Sequence, residues 1–141
     1  HALKYVDRQL CFAVDVPADW TSDGMPGSFA WFGLREQEQL SFNISTDNLV
    51  APTLEQALAS VQRGSLGPYI QEVRNFTLGG QPALWVTVTT VPVADAFRFV
   101  ALVIAPDCGD GLHSLFLGAK PGAEQQFEMF LSHFRFLRSG S

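Results

Sequence analysis

The stretch from Phe76 to Val91, F-T-L-G-G-Q-P-A-L-W-V-T-V-T-T-V, restricts the fold more than any other part of the chain. Two glycines stand between two runs rich in β-branched and aromatic residues. Such a pair accepts φ > 0 at both central positions of a tight turn, so the stretch predicts a β-hairpin. Its arms are Tyr69 to Leu78 and Ala83 to Val91. Pro82 has no N–H to give to a ladder, which places it at the very start of the return arm. On that arm Leu84, Val86 and Val88 share one face; Trp85, Thr87 and Thr89 share the other.

Phe97 to Ala105 adds the second constraint. Phe97, Phe99, Ala101 and Val103 fall on one face and Val100, Leu102 and Ile104 on the other. A strand apolar on both faces is covered on both sides, so helical layers are expected above and below the sheet. Other strand signals are Leu10 to Val16, Phe29 to Leu34, Leu40 to Ser45 and Leu112 to Gly118. Thr21 to Gly27 (T-S-D-G-M-P-G) reads as a flexible loop, Arg35 to Gln39 as a solvated connection, and Asn48 to Pro52 as a linker.

Two segments have helical period. Thr53 with Gln56 makes a capping-box pattern, and Leu54, Ala57, Leu58 and Val61 form one apolar stripe ending at Gly64 to Pro68. Pro121 to Phe134 is the second helix, with Pro121 in the first turn, Glu124 near the positive end of the helix dipole, and Phe127, Phe130, Leu131 and Phe134 buried. Strands joined by short loops with two interspersed helices define the α+β class. The expectation is an antiparallel sheet of about six to seven strands between helices, an α/β/α sandwich.

The chain has 141 residues, of which 47% are hydrophobic and 16% charged, with a net charge of −5. That is one ordinary domain with material for a sizeable core. Residues 1–4 and 138–141 are expected to be flexible or appended ends. An acidic, charge-poor chain lacks the basic footprint of a nucleic-acid-binding protein. No apolar run reaches the ~20 residues of a transmembrane helix.

Three groups of residues merit a reading as sites. Asp107, Asp110 and His113 are close in sequence and have metal-ligating side chains; the simpler account is a hairpin turn that uses Asp and Gly for their backbone habits. Cys11 and Cys108 either form a disulfide closing nearly the whole chain, which favours an exported protein, or are two separate buried thiols. Trp31 and Trp85 either belong to the core or form an apolar surface that receives a ligand. There is no nucleophile elbow, phosphate loop or zinc spacing.

Four pieces of sequence are also met together in one known family. They are F-A-V-D-V-P-A-D-W (Phe12 to Trp20), T-L-E-Q-A-L (Thr53 to Leu58), L-G-G-Q-P-A-L (Leu78 to Leu84) and F-L-S-H-F-R-F (Phe130 to Phe136). In order and spacing they resemble the PsbP-like family, named for an extrinsic subunit of photosystem II and including many small bacterial exported proteins and lipoproteins. The resemblance covers almost the whole chain and implies a single domain over residues 1–141, with an antiparallel sheet between helical layers. It implies a non-enzymatic role without a cofactor, and no functional residue set that can be carried over. The expected function is therefore that of a non-catalytic exported binding or assembly domain, periplasmic or at the cell surface. Its expected partner is a protein or a small apolar ligand. The alternatives are a cytoplasmic chaperone or adaptor for a secreted effector, and a metal-dependent enzyme using the Asp107, Asp110 and His113 group.

Overall fold

The computed structural model describes residues 2–17, 19–25, 27–34, 37–47, 52–89, 97–109 and 111–137. The Gly79-Gly80 turn is present, with φ of +59° and +84°. It joins β6 (Ile70–Leu78) to β7 (Gln81–Val88) with Leu78 opposite Gln81 and Thr77 opposite Pro82. From β7 the chain continues through β8 (Phe99–Ala105) and β9 (His113–Ala119) as an antiparallel meander. Upstream lie β3 (Thr21–Met25), β4 (Phe29–Leu34) and β5 (Gln37–Asp47). β5 pairs with β9, which fuses the two groups into one seven-stranded sheet of order β3-β4-β5-β9-β8-β7-β6, with antiparallel pairing throughout.

The sheet has two apolar faces, as β8 requires. On one, Val86, Val88, Val100 and Leu102 meet Ala57 and Val61 of α1 (Leu54–Arg63), with Leu54 and Leu58 half-buried alongside. The Thr53 hydroxyl caps α1 by accepting from the Gln56 N–H at 3.2 Å. On the other face, Trp85, Phe99, Ala101, Val103, Leu115 and Leu117 meet Phe127, Phe130 and Leu131 of α2 (Glu124–Ser132). The class is thus α+β, with a helix on each face.

A second, three-stranded sheet completes the α2 layer. It comprises β1 (Ala2–Asp7), β2 (Phe12–Pro17) and β10 (Arg135–Phe136), with β2 in the centre. Several expectations are corrected here. Residues 2–4, expected to be flexible or appended, pair with β2 as part of β1. Thr21 to Gly27, read as a loop, contains β3, whose residues are all exposed and so carry no burial alternation but pair with β4. The final helix ends at Ser132 rather than Phe134, because the chain turns at His133 to send Arg135 and Phe136 into β10. Phe97 packs on the α1 face rather than beside Phe99: its ring fills the space over Gly118, where a Cβ would lie 2.6 Å from Phe97 Cδ1. Residue 1 and residues 138–141 lie outside the described part.

Candidate functional site

The structure joins Cys11 and Cys108 in a disulfide, with their Cα atoms 6.2 Å apart. It ties the turn between β1 and β2 to the turn between β8 and β9. Cys11 takes a left-handed conformation, φ 57°. The same turn is organised by Asp7, a residue that sequence periodicity does not single out. Asp7 is only 2% exposed. Its Oδ1 accepts the backbone N–H groups of Gln9 and Leu10, both at 2.9 Å, and its Oδ2 accepts that of Gly27 at 2.8 Å. A buried carboxylate with three donors is satisfied and structural. Burial, aided by the charge of Asp7, raises the pKa of the neighbouring Tyr5 hydroxyl.

Asp107 is likewise committed to its own turn. Its Oδ1 accepts from Gly109 N at 2.8 Å and Gly111 N at 3.0 Å, and these two bonds lower its pKa. His113 opens β9 and contributes a smaller lowering through its charge. Asp110 lies outside the described residues. Among the described residues no group of three His, Cys, Asp or Glu side chains is placed to hold a metal ion.

Trp31 and Trp85 do not form one surface. Ala30 and Phe32 of β4 point into the α2-side core, so alternation sends Trp31 to the opposite face, the side of the half-exposed Phe29. Trp85 belongs to the α2-side core and is 4% exposed. Its Nε1 donates to Thr87 Oγ1 at 3.0 Å. Phe76 meets it edge-on at 6.1 Å, Phe99 and Phe127 lie at 5.6 and 5.7 Å, and the Arg74 guanidinium sits 5.2 Å from the ring centroid.

Beside Trp85 is a groove of roughly 350 Å³, bounded by Arg74 to Thr77 of β6 on one side and by Glu128, Leu131 and Ser132 of α2 on the other. Four consecutive strand residues line it although their side chains alternate, so the backbone edge of β6 forms part of its wall. Among the described residues β6 is the last strand of the sheet. In a two-residue hairpin the closing pair is hydrogen-bonded, which here means Leu78 with Gln81. Counting back, Phe76, Arg74 and Glu72 direct their backbone groups to β7, and Thr77, Asn75 and Val73 direct theirs outward. The Thr77–Pro82 pair thus needs no proline N–H toward β6, and on its other side Pro82 precedes the first β7–β8 pair at Ala83. The sequence signals the turn and Trp85; it does not signal that β6 ends the sheet, because that depends on β9 pairing with β5.

A second cavity, about 420 Å³, lies at the other end of α2. Arg98, Phe99, Pro121, Gly122 and residues Glu124 to Gln126 line it.

No protein-family model matches the chain, and no curated protein is similar to it in sequence. Solved structures match in fold. The solution structure of cyanobacterial PsbP (CyanoP) from Synechocystis sp. PCC 6803 superposes with a TM-score of 0.64 at 10% identity, over 96% of this chain and 92% of that one. A crystal structure of a protein from Bacteroides thetaiotaomicron VPI-5482 superposes with a TM-score of 0.61 at 13% identity, over 98% of this chain and 49% of that one. The chain has the PsbP-like fold. Among the described residues no helix is long and apolar enough to cross a membrane.

Proposed function

We propose that this is a non-catalytic, exported binding domain that takes an extended segment of a partner protein along β6, with an apolar side chain of that segment in the groove beside Trp85. The observation that supports this is the coincidence of the groove with the edge of β6, which pairs with no second strand among the described residues. Strand addition supplies backbone hydrogen bonds from Val73, Asn75 and Thr77, and an adjoining pocket supplies selectivity. Phe76, Trp85 and Leu131 give the pocket its apolar wall; Arg74, Glu128 and Ser132 give it a polar rim. The Cys11–Cys108 bridge supports the exported reading over a cytoplasmic adaptor, because disulfides persist in oxidising compartments.

A random peptide library displayed on phage tests the site and does not require the partner to be identified first. Enriched peptides are expected to carry an apolar residue. They are expected to shift the amide resonances of Val73, Asn75 and Thr77 and the indole resonance of Trp85. Ser132→Trp, which fills the groove from an exposed helix position, is expected to weaken binding about tenfold, the loss of ~1.4 kcal/mol. Failure to enrich any peptide, or enrichment of peptides that leave β6 and Trp85 unshifted, refutes the reading.

A further inference from the structure

The exposed edge of β6 is self-complementary. Around Val73 its sequence reads Gln71-Glu72-Val73-Arg74-Asn75: polar, acid, apolar, base, polar. We infer that the strand added at β6 is β6 of a second copy of this chain, paired antiparallel about a two-fold axis through Val73. The inference rests on the reading of β6 as a strand-addition edge and names the partner of that edge.

The register follows from which backbone groups are free. Val73 directs its N–H and C=O outward, as the pairing with β7 requires. Val73 opposite its own symmetry mate therefore exchanges two hydrogen bonds in a pair of the narrow type. One step to either side, Glu72 faces Arg74 of the second copy, and Arg74 faces its Glu72. These are non-hydrogen-bonded pairs, whose side chains approach most closely. Both side chains can make the exchange: each is 57% exposed, and the two share a 3.8 Å ion pair within their own strand, while the Arg74 guanidinium also lies 5.2 Å from the Trp85 ring centroid. Asn75 then faces Gln71. There the irregularity between Ile70 and Glu72 ends the ladder. On the α1 side, Val73, 39% exposed, meets its own copy.

An edge that carries an acid two residues before a base, symmetrically about an exposed valine, matches itself in charge only in this register. Shifting the axis to Arg74 would place that arginine against its own copy, a like-charge pair that disfavours pairing. The pairing turns two seven-stranded sheets into one and covers both β6 edges from Gln71 to Asn75. It also places the two Trp85 grooves side by side on one face, with Glu72 of each copy against the Arg74 that rims the groove of the other. The short ladder makes this a reversible association, visible as concentration-dependent mass.

Sedimentation equilibrium over a hundredfold range of concentration tests the inference. The wild-type protein is expected to show a monomer–dimer equilibrium. Glu72→Lys makes both cross-copy pairs Lys–Arg and is expected to raise the dissociation constant about tenfold. Glu72→Lys combined with Arg74→Glu reverses both pairs together and is expected to restore it. Val73→Pro removes an outward N–H that β7 does not use, and is expected to abolish the dimer with the far-UV circular dichroism retained. A monomer at every concentration overturns the inference. So does a dimer indifferent to Val73→Pro, or a double charge swap that does not restore association. If the protein is monomeric yet phage-selected peptides still shift Val73 and Asn75, the binding edge stands and only its partner is wrong. If the dimer forms and no peptide shifts Trp85, the pairing stands and the groove reading falls.

Discussion

Opening the Cys11–Cys108 bridge is the perturbation with the largest expected effect on the fold. The two cysteines are 97 residues apart in sequence. In the chain-entropy treatment a closed loop of that length restricts the unfolded chain by about 4.7 kcal/mol at 25 °C. For a chain of 141 residues the entropy of unfolding is about 0.3 kcal/mol/K. The ratio gives a fall in Tm of roughly 15 °C. Differential scanning calorimetry should be run on three samples: the oxidised protein, the same protein held in a phosphine reductant, and the C11A/C108A double variant. The reduced protein and the double variant are expected to unfold at nearly the same temperature, well below the oxidised protein. Alanine is chosen because Cys11 is buried and a serine hydroxyl there would add a desolvation cost of its own. A fall of less than about 3 °C in both samples would refute the argument, since the constraint would then be absent or the reduced unfolded chain already compact.

Three further outcomes are expected. Asp7→Ala leaves the N–H groups of Gln9, Leu10 and Gly27 without their acceptor, that of Leu10 buried and the other two part-buried, and should lower stability by about 2–4 kcal/mol in urea denaturation; a loss below ~1 kcal/mol would show that water replaces the carboxylate. Gly79→Ala and Gly80→Ala both place a Cβ at positive φ, at a cost of about 1 kcal/mol each, but at Gly79 the Cβ would also lie 2.9 Å from the Phe136 ring while at Gly80 it meets open space, so thermal melts should rank Gly79→Ala clearly lower; equal losses would refute the packing part. Asp107 has a folded pKa below its unfolded value, so its contribution is present above the unfolded pKa, near 4, and is lost as pH falls through the folded one; the acid limb of a Tm-against-pH curve should flatten in Asp107→Ala, and an unchanged limb would assign the dependence elsewhere.

The parts of the fold that sequence discloses are those governed by local chemistry. The Gly79-Gly80 turn, the Thr53 cap and the alternation through Val100 to Val103 each need only neighbouring residues to be read. The two-sided burial of β8 announces covering layers on both faces, and α1 and α2 supply them. What escapes is set by distant pairing. β3 is exposed along its whole length, so its pattern is that of a loop, and only its ladder to β4 makes it a strand. β10 has two residues and hides at the end of a helical pattern. Asp7 looks like an ordinary surface acid until Gly27 is brought against it. The site is half legible. Trp85 stands out as an aromatic on a threonine-bearing face, and Trp31 reads as its equal, yet the sheet separates the two. That β6 is an edge, and hence that Val73 and Asn75 have free backbone groups, follows from the position of β9 in the sheet and from nothing in β6 itself.

That position of β9 also governs how the protein is made. β6 to β9 form a run of neighbouring hairpins that can close as soon as each is synthesised. β3, β4 and β5 form a second local unit. Among the described strands of the large sheet, the two are joined where residues 114–119 meet residues 42–47, its longest-range pairing. Contacts of such separation are formed late and slowly, because the intervening chain must be closed before they give any return. During translation the edge of β5 therefore stays open through the synthesis of α1 and three further strands. The interval ends only when β9, near the end of the chain, arrives to fill it. For this protein the hazardous period is the wait for one strand, and a chain stopped short of His113 is expected to expose β5 permanently and to aggregate.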